Sequence, residues 1–271
     1  MCLNNWGGID HKVLEFHEYV NLFSGKSGSG KSTVMDAIQV ILYGSFSPSF
    51  LNKAADDAKN RRSVLSYLRG EQKDGSANRK GCDFCSVIAL EIEDTGTHII
   101  TCIGIAFEVR KSDSEIKKFV YFSHSGKMPE SEYLTEQGVC YSNQEIKKLV
   151  SARTKSDDNR GKGEVNRIYG SKEAYLGTLY DVILGYIDQN RFITMEKSAI
   201  ALKMTNGTGQ FIRDYMFPKN TSNTIATISE QLDSYRQIKD KIEDLRKRIE
   251  LLSEIQASGK ELVRLPRITA P

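Results

Sequence analysis

The chain has 271 residues, of which 39% are apolar and 27% charged, and its formal net charge is +3. That is a globular profile with enough apolar residues to core one large or two modest domains, and it excludes a collagen-like or charge-expanded disordered chain. No apolar run approaches the roughly 18 residues that a membrane span needs, and no secretory leader opens the sequence, so the expected location is cytoplasmic, with no membrane partner.

Met1 leads into LNNWGGID, a polar, turn-rich stretch. The next run, VLEFHEYVNLF, predicts two short strands, Val13 to Phe16 and Tyr19 to Phe23, separated by a tight polar turn. The second of them enters Gly25 to Ser32, G-K-S-G-S-G-K-S, a full match to GxxxxGK[ST]. After it, STVMDAIQVILYG places Val34, Ile38, Ile41 and Leu42 at helical spacing and stops at Gly44.

Each residue type in the loop has a physical task. The glycines let the backbone wrap closely around phosphate, successive N–H groups turn inward, and the helix start adds partial positive charge. A nucleotide is therefore expected on Gly25, Lys26, Ser27, Gly28, Ser29, Gly30, Lys31, Ser32 and Thr33. Lys31 should reach the β- and γ-phosphates, Ser32 should ligate Mg²⁺, and Thr33 should bond on the α-phosphate side. ATP and Mg²⁺ are the expected cofactors.

Basic residues follow: Lys59, Arg61, Arg62 and Arg69, then the pairs Arg79-Lys80, Lys117-Lys118 and Lys147-Lys148. Such pairs mark either a solvated face or a footprint for phosphate backbones. FCSVIALEIED alternates as a half-buried strand, and YLGTLYDVILGYI carries helical spacing at Leu176, Leu179, Ile183 and Tyr186. Five cysteines are an odd number, which argues against a disulfide framework. Cys82 and Cys85 form a CxxC, but zinc needs a second pair at similar spacing, so buried or indifferent thiols are expected. From Ile225 the apolar positions step by threes and fours through Ile228, Leu232, Tyr235, Ile238, Ile242, Leu245, Ile249 and Leu252 to Ile255, the pattern of a coiled-coil seam. ASGKELVRLPRITAP then breaks the helix with Gly259 and Pro266.

The run NNW…VLEFHEYVNLFSGKSGSGKSTVMDAIQVILYG, with FLNKAADDAKNRRSVLSYLRG, FCSVIALEIED and SAIALKMTNGTGQFIRDYMF after it, resembles the N-terminal head segment of SMC-like ABC ATPases. Within that group it is most similar to the JetC-type heads of Wadjet systems, with MksF and MukB heads as cousins. The likeness covers most of residues 3 to 256 and is weakest over 108 to 165. It implies an α/β fold, a P-loop ABC-type ATPase head (N-terminal lobe) over 1–224, with a small antiparallel β-layer and a helical subdomain. The start of a coiled-coil arm would follow over 225–256, and a tail or truncation end over 257–271.

The resemblance also implies a glutamine that senses Mg²⁺ and the γ-phosphate. Gln210, in NGTGQFIRDY, is the first candidate for that catalytic and metal-facing role beside Lys31, and Gln189, in YIDQNRF, is the second. Arg61, Arg62 and Arg69 are candidates for a DNA-facing surface. The implied partners are double-stranded DNA, a second copy forming a head dimer, kleisin-type and accessory subunits, and a nuclease subunit.

Three parts of a complete head have no convincing match in the sequence. NGTGQ has a loose likeness to the signature loop LSGGQ, but no apolar strand ending in Asp-Glu follows it. VILGYID ends in an aspartate on helical spacing, and no switch histidine is identified. In SMC-like chains these parts lie in a C-terminal lobe beyond the coiled coil, so the expectation is half of an ATPase that binds ATP without turning it over. Two rival readings are a stand-alone P-loop kinase acting on a small molecule or nucleotide, and a scaffold that binds nucleotide only to assemble.

Overall fold

The computed structural model of the chain describes residues 1–26, 28–48, 51, 63–72, 75–156 and 165–200, with the single positions 239, 242, 245, 248, 249 and 252. The chain divides into two units, Met1–Lys203 and Met204–Pro271. In the first, the strands are β1 (Cys2–Trp6), β2 (Ile9–Val13), β3 (Phe84–Glu93), β4 (Ile100–Val109), β5 (Lys118–Ser125) and β6 (Arg167–Tyr169). They form one sheet in the order β2-β1-β3-β4-β5-β6, every neighbouring pair antiparallel. The helices are α1 (Lys31–Tyr43), α2 (Val64–Arg69), α3 (Asn143–Ser156), α4 (Lys172–Gly177), a π-helix (Thr178–Ile183) and α5 (Gln189–Ile200).

Strand alternation gives the sheet two buried faces. Along β4, Ile103, Ile105, Phe107 and Val109 join the larger core with α1, α2, α4 and the π-helix, while Ala106 joins a second core under Ile146 and Val150 of α3. Helices on both sides of a sheet make three layers, a stable way to hide both faces. Cys102 pairs with His124 across β4 and β5, and the buried His124 accepts at Nε2 from the buried Tyr133 hydroxyl at 2.9 Å.

Several sequence expectations hold. The helix after the glycine-rich loop runs from Lys31 to Tyr43 and ends at Gly44 in a left-handed conformation. FCSVIALEIED is β3, and the YLGTLYDVI spacing belongs to α4 and the π-helix. The strands before the loop do not hold. Pairing with β1 places β2 at Ile9–Val13, and residues 14–25 form no strand. The run Tyr19 to Phe23 has the composition of a strand, but no strand of the described residues pairs with it. Tyr19, Val20 and Leu22 are 86, 77 and 89% exposed.

The expected seam is described only at Ile242, Leu245, Ile249 and Leu252, each helical and exposed; its other positions lie outside the described residues. The five thiols are free. Burial pushes Cys2 and Cys102 up to about 12 and Cys85 up to about 11, and raises Cys140 as well. Among the described residues no group of three or more His, Cys, Asp or Glu side chains could hold a metal ion.

Candidate nucleotide-binding site

The glycine-rich loop lies at the N-terminal end of α1, on the surface. Gly28 and Gly30 both have positive φ, 85° and 89°, which turns the chain sharply into the helix. Gly25 is needed for space: a Cβ there would lie 2.6 Å from Ser29 Oγ. Lys31 curls back over the loop, its Nζ donating to the Gly25 carbonyl at 2.6 Å, the Lys26 carbonyl at 3.0 Å and Ser29 Oγ at 3.3 Å. Ser32 is exposed and Thr33 half-buried. Ser27 lies outside the described residues.

The start of α1 is electrostatically prepared for an anion. Gly30 offers no side-chain cap, and the first turn carries no acidic residue. The N–H groups at a helix start have no intrahelical partners, and together they carry about half a positive charge. An uncapped start beside an ammonium and a glycine cradle fits a phosphate group. These residues therefore fit a nucleoside triphosphate: its phosphate oxygens would take over the contacts Lys31 now makes with carbonyls.

The structure sorts the remaining candidates. Gln210, Arg61 and Arg62 lie outside the described residues. Gln189 opens α5, which runs back along α1: Phe192 packs on Tyr180, whose hydroxyl bonds the Leu42 carbonyl, and four residues later Glu196 accepts from Gln39 at 3.0 Å. The antiparallel course leaves Gln189 near the far end of α1, roughly 15 Å of helical rise from Ser32. The structure thus does not bring Gln189 to the loop.

Arg69 is half-buried, and its Nη2 donates to the Lys111 and Asp113 carbonyls, holding the β4–β5 connection against α2. Arg79, expected as half of a surface pair, is 7% exposed. Its Nε donates to the Leu68 carbonyl and its Nη1 to Asp10, both at 2.8 Å, and its Nη2 donates to the Gly7 carbonyl. Burial lowers its pKa, partly offset by the Asp10 carboxylate. Nothing in the Arg79-Lys80 dipeptide signals which of the two is buried.

Sequence reasoning also missed how the loop end of α1 is held. Trp6, fully buried, donates from Nε1 to the Thr33 carbonyl at 2.8 Å and stacks on Tyr67 with ring centroids 5.1 Å apart. The Tyr67 hydroxyl donates in turn to the buried Asp36 carboxylate, one turn further along α1.

A uncapped helix start under a GxxxxGK[ST] loop, on one face of a mixed α/β layer structure, defines a P-loop nucleotide-binding protein. Residues 1–265 match the family model AAA_23, described as an AAA domain, and the chain belongs to that family. It is accordingly a nucleotide-binding domain of the P-loop ATPase class. No curated protein matches the chain. No helix among the described residues is long and apolar enough to cross a membrane.

Proposed function

We propose that this chain is the ATP-binding N-terminal head lobe of an SMC-like ATPase of the JetC type. In the full assembly two heads close on ATP·Mg²⁺ and the complex acts on double-stranded DNA, in anti-plasmid defence in the cytoplasm. The observation that carries this reading is the contrast between a complete phosphate loop and the bare apolar segment that enters it. Tyr19, Val20 and Leu22 stand in solvent although their composition suits a buried strand. A complementary lobe supplying strands on both sides of Tyr19–Phe23 would bury them and complete the enzyme.

In that assembly Lys31 neutralises charge on the β- and γ-phosphates, and the loop N–H groups and Thr33 orient the chain of phosphates. Bound Mg²⁺ would supply charge neutralisation, with Ser32 as its ligand and Gln210 as the second protein group facing it. Orientation of the attacking water and the opposing clamp come from the partner lobe and the second head. Kleisin-type, accessory and nuclease subunits complete the complex. Arg61 and Arg62 would face the duplex; Arg69 already holds two backbone carbonyls.

The test is turnover. The 271-residue chain should bind ATP·Mg²⁺ by calorimetry without hydrolysis above background. Adding the complementary C-terminal lobe should start hydrolysis and protect Tyr19–Phe23 from hydrogen exchange. Ordinary ATPase rates from this chain alone, abolished by Lys31→Ala, would show a complete enzyme instead, and phosphoryl transfer to a small acceptor would show a kinase.

A further inference from the structure

We infer that Trp6 is a positioning residue of the nucleotide site: through Thr33 it sets the first turn of α1, and it reports on what that turn binds. The inference rests on the nucleotide-binding reading above and adds a residue outside the loop to it.

In a regular strand, residues three apart point to opposite faces, yet Leu3 and Trp6 of β1 join the same core. Asn5 makes this possible. Its φ is +56°, a region that asparagine tolerates better than most side chains, and its Nδ2 is tied to the Cys85 carbonyl at 2.7 Å. The register skips Asn5: Asn4 pairs with His11, and Trp6 with Ile9. The indole is thereby turned onto α1.

There it meets the helix one residue after Ser32. Besides the bond to the Thr33 carbonyl, Gly7 lies so close to Thr33 that a Cβ would come within 2.5 Å of its Cγ2. The turn is fixed from behind. The Gly7 N–H donates to the Tyr67 carbonyl at 2.8 Å, and the Gly7 carbonyl accepts from the buried Arg79. Tyr67 stacks on the indole and bonds Asp36. Gly30 does not cap the helix, and these two contacts from the sheet side hold its start at Thr33, the residue after Ser32. A loop whose donors are already aimed loses less freedom on binding.

Trp6 is the sole tryptophan of the chain, so its emission can be read directly. ATP·Mg²⁺ should change that emission with the same dissociation constant that calorimetry gives, and Lys31→Ala should abolish the change. Trp6→Phe keeps a stacking ring but removes the N–H. Its ATP affinity should fall about threefold to tenfold, the size of one lost hydrogen bond, while circular dichroism stays unchanged. Tyr67→Phe, which keeps the stack and removes the bond to Asp36, should weaken binding in the same direction and is the second variant should Trp6→Phe fold poorly. Wild-type affinity in a folded variant of either kind, or constant emission at ATP saturation, overturns the inference alone. No ATP binding by the wild-type chain overturns the nucleotide reading, and this inference with it.

Discussion

At its C-terminal end α1 gives its last carbonyls to three tyrosines, whereas at its N-terminal end it keeps its N–H groups uncapped under an exposed loop. Helix ends leave about four backbone groups each without intrahelical partners. The far end satisfies its share inside the protein: Tyr175 donates to the Ile41 carbonyl at 2.9 Å, Tyr180 to Leu42 at 3.0 Å and Tyr121 to Gly44 at 2.6 Å. These phenols come from α4, the π-helix and β5, so parts of the chain remote in sequence meet at one helix terminus. Tyr175 is fully buried and stacks on Tyr121 at 4.6 Å. The near end is tied at its back, by Trp6 and Tyr67, and Lys31 turns to loop carbonyls. One terminus is finished by folding and the other is left for a ligand. A helix anchored at the far end can present its start to an anion without being ordered by it.

The sharpest way to break this contrast is Tyr175→Ala. It removes a buried ring and the bond to Ile41, and should cost about 3–5 kcal/mol in chemical denaturation, with nucleotide binding lost in the same transition. Lys31→Ala should do the reverse. ATP affinity should fall on the order of 100-fold, as expected for charge-assisted bonds to phosphate, with the denaturation midpoint unmoved because the loop is exposed. If Lys31→Ala unfolds the chain, or Tyr175→Ala spares it, the two ends are not functionally distinct.

Smaller changes sharpen the comparison. Tyr121→Phe, Tyr175→Phe and Tyr180→Phe each keep the ring and leave a helix carbonyl without its donor, for a loss of about 1–2 kcal/mol each. None should alter ATP affinity, which calorimetry on the three variants checks. The smallest effect at neutral pH, where it vanishes, is alkaline. Burial pushes the Tyr121 and Tyr180 phenols up from 10 to about 12. A phenol raised in the folded state stabilises it fully below pH 10, and that contribution is lost as pH rises through about 12. Denaturation midpoints should therefore decline from pH 10 upward, less steeply in Tyr121→Phe and Tyr180→Phe. An identical decline in the variants would place the alkaline sensitivity elsewhere.

Much of the site was legible because it is local. Gly25 to Ser32 is a contiguous motif whose backbone freedom, charge and following helical period are all written within about twenty residues, and α1 starts and stops where that pattern says. The strand β3 was legible for the same reason. The segment before the loop departs from its expected strands because apolar composition signals a strand that can be buried, not the presence of a neighbour to pair with. Tyr19 to Phe23 has the first and lacks the second among the described residues. A basic residue's spacing does not say what it meets: Arg69 gives its Nη2 to two backbone carbonyls and Arg79 is buried on two carbonyls and Asp10, because a guanidinium's partners are set by which loops come near it.

By itself, then, the sequence determined the features at the mouth of the site: the glycine-rich loop, the lysine that follows it and the helix they open. Those properties follow from residue type and from spacing along one short stretch of backbone. Only the tertiary structure decided what stands behind the loop. Asn5 turns Trp6 onto Thr33, Arg79 is drawn under Gly7, and tyrosines from three later elements take up the far carbonyls of α1. Each of these contacts joins residues 27 to 138 positions apart. No local pattern encodes such a pairing, because its partners meet only after the sheet has closed and both sides have lost their water.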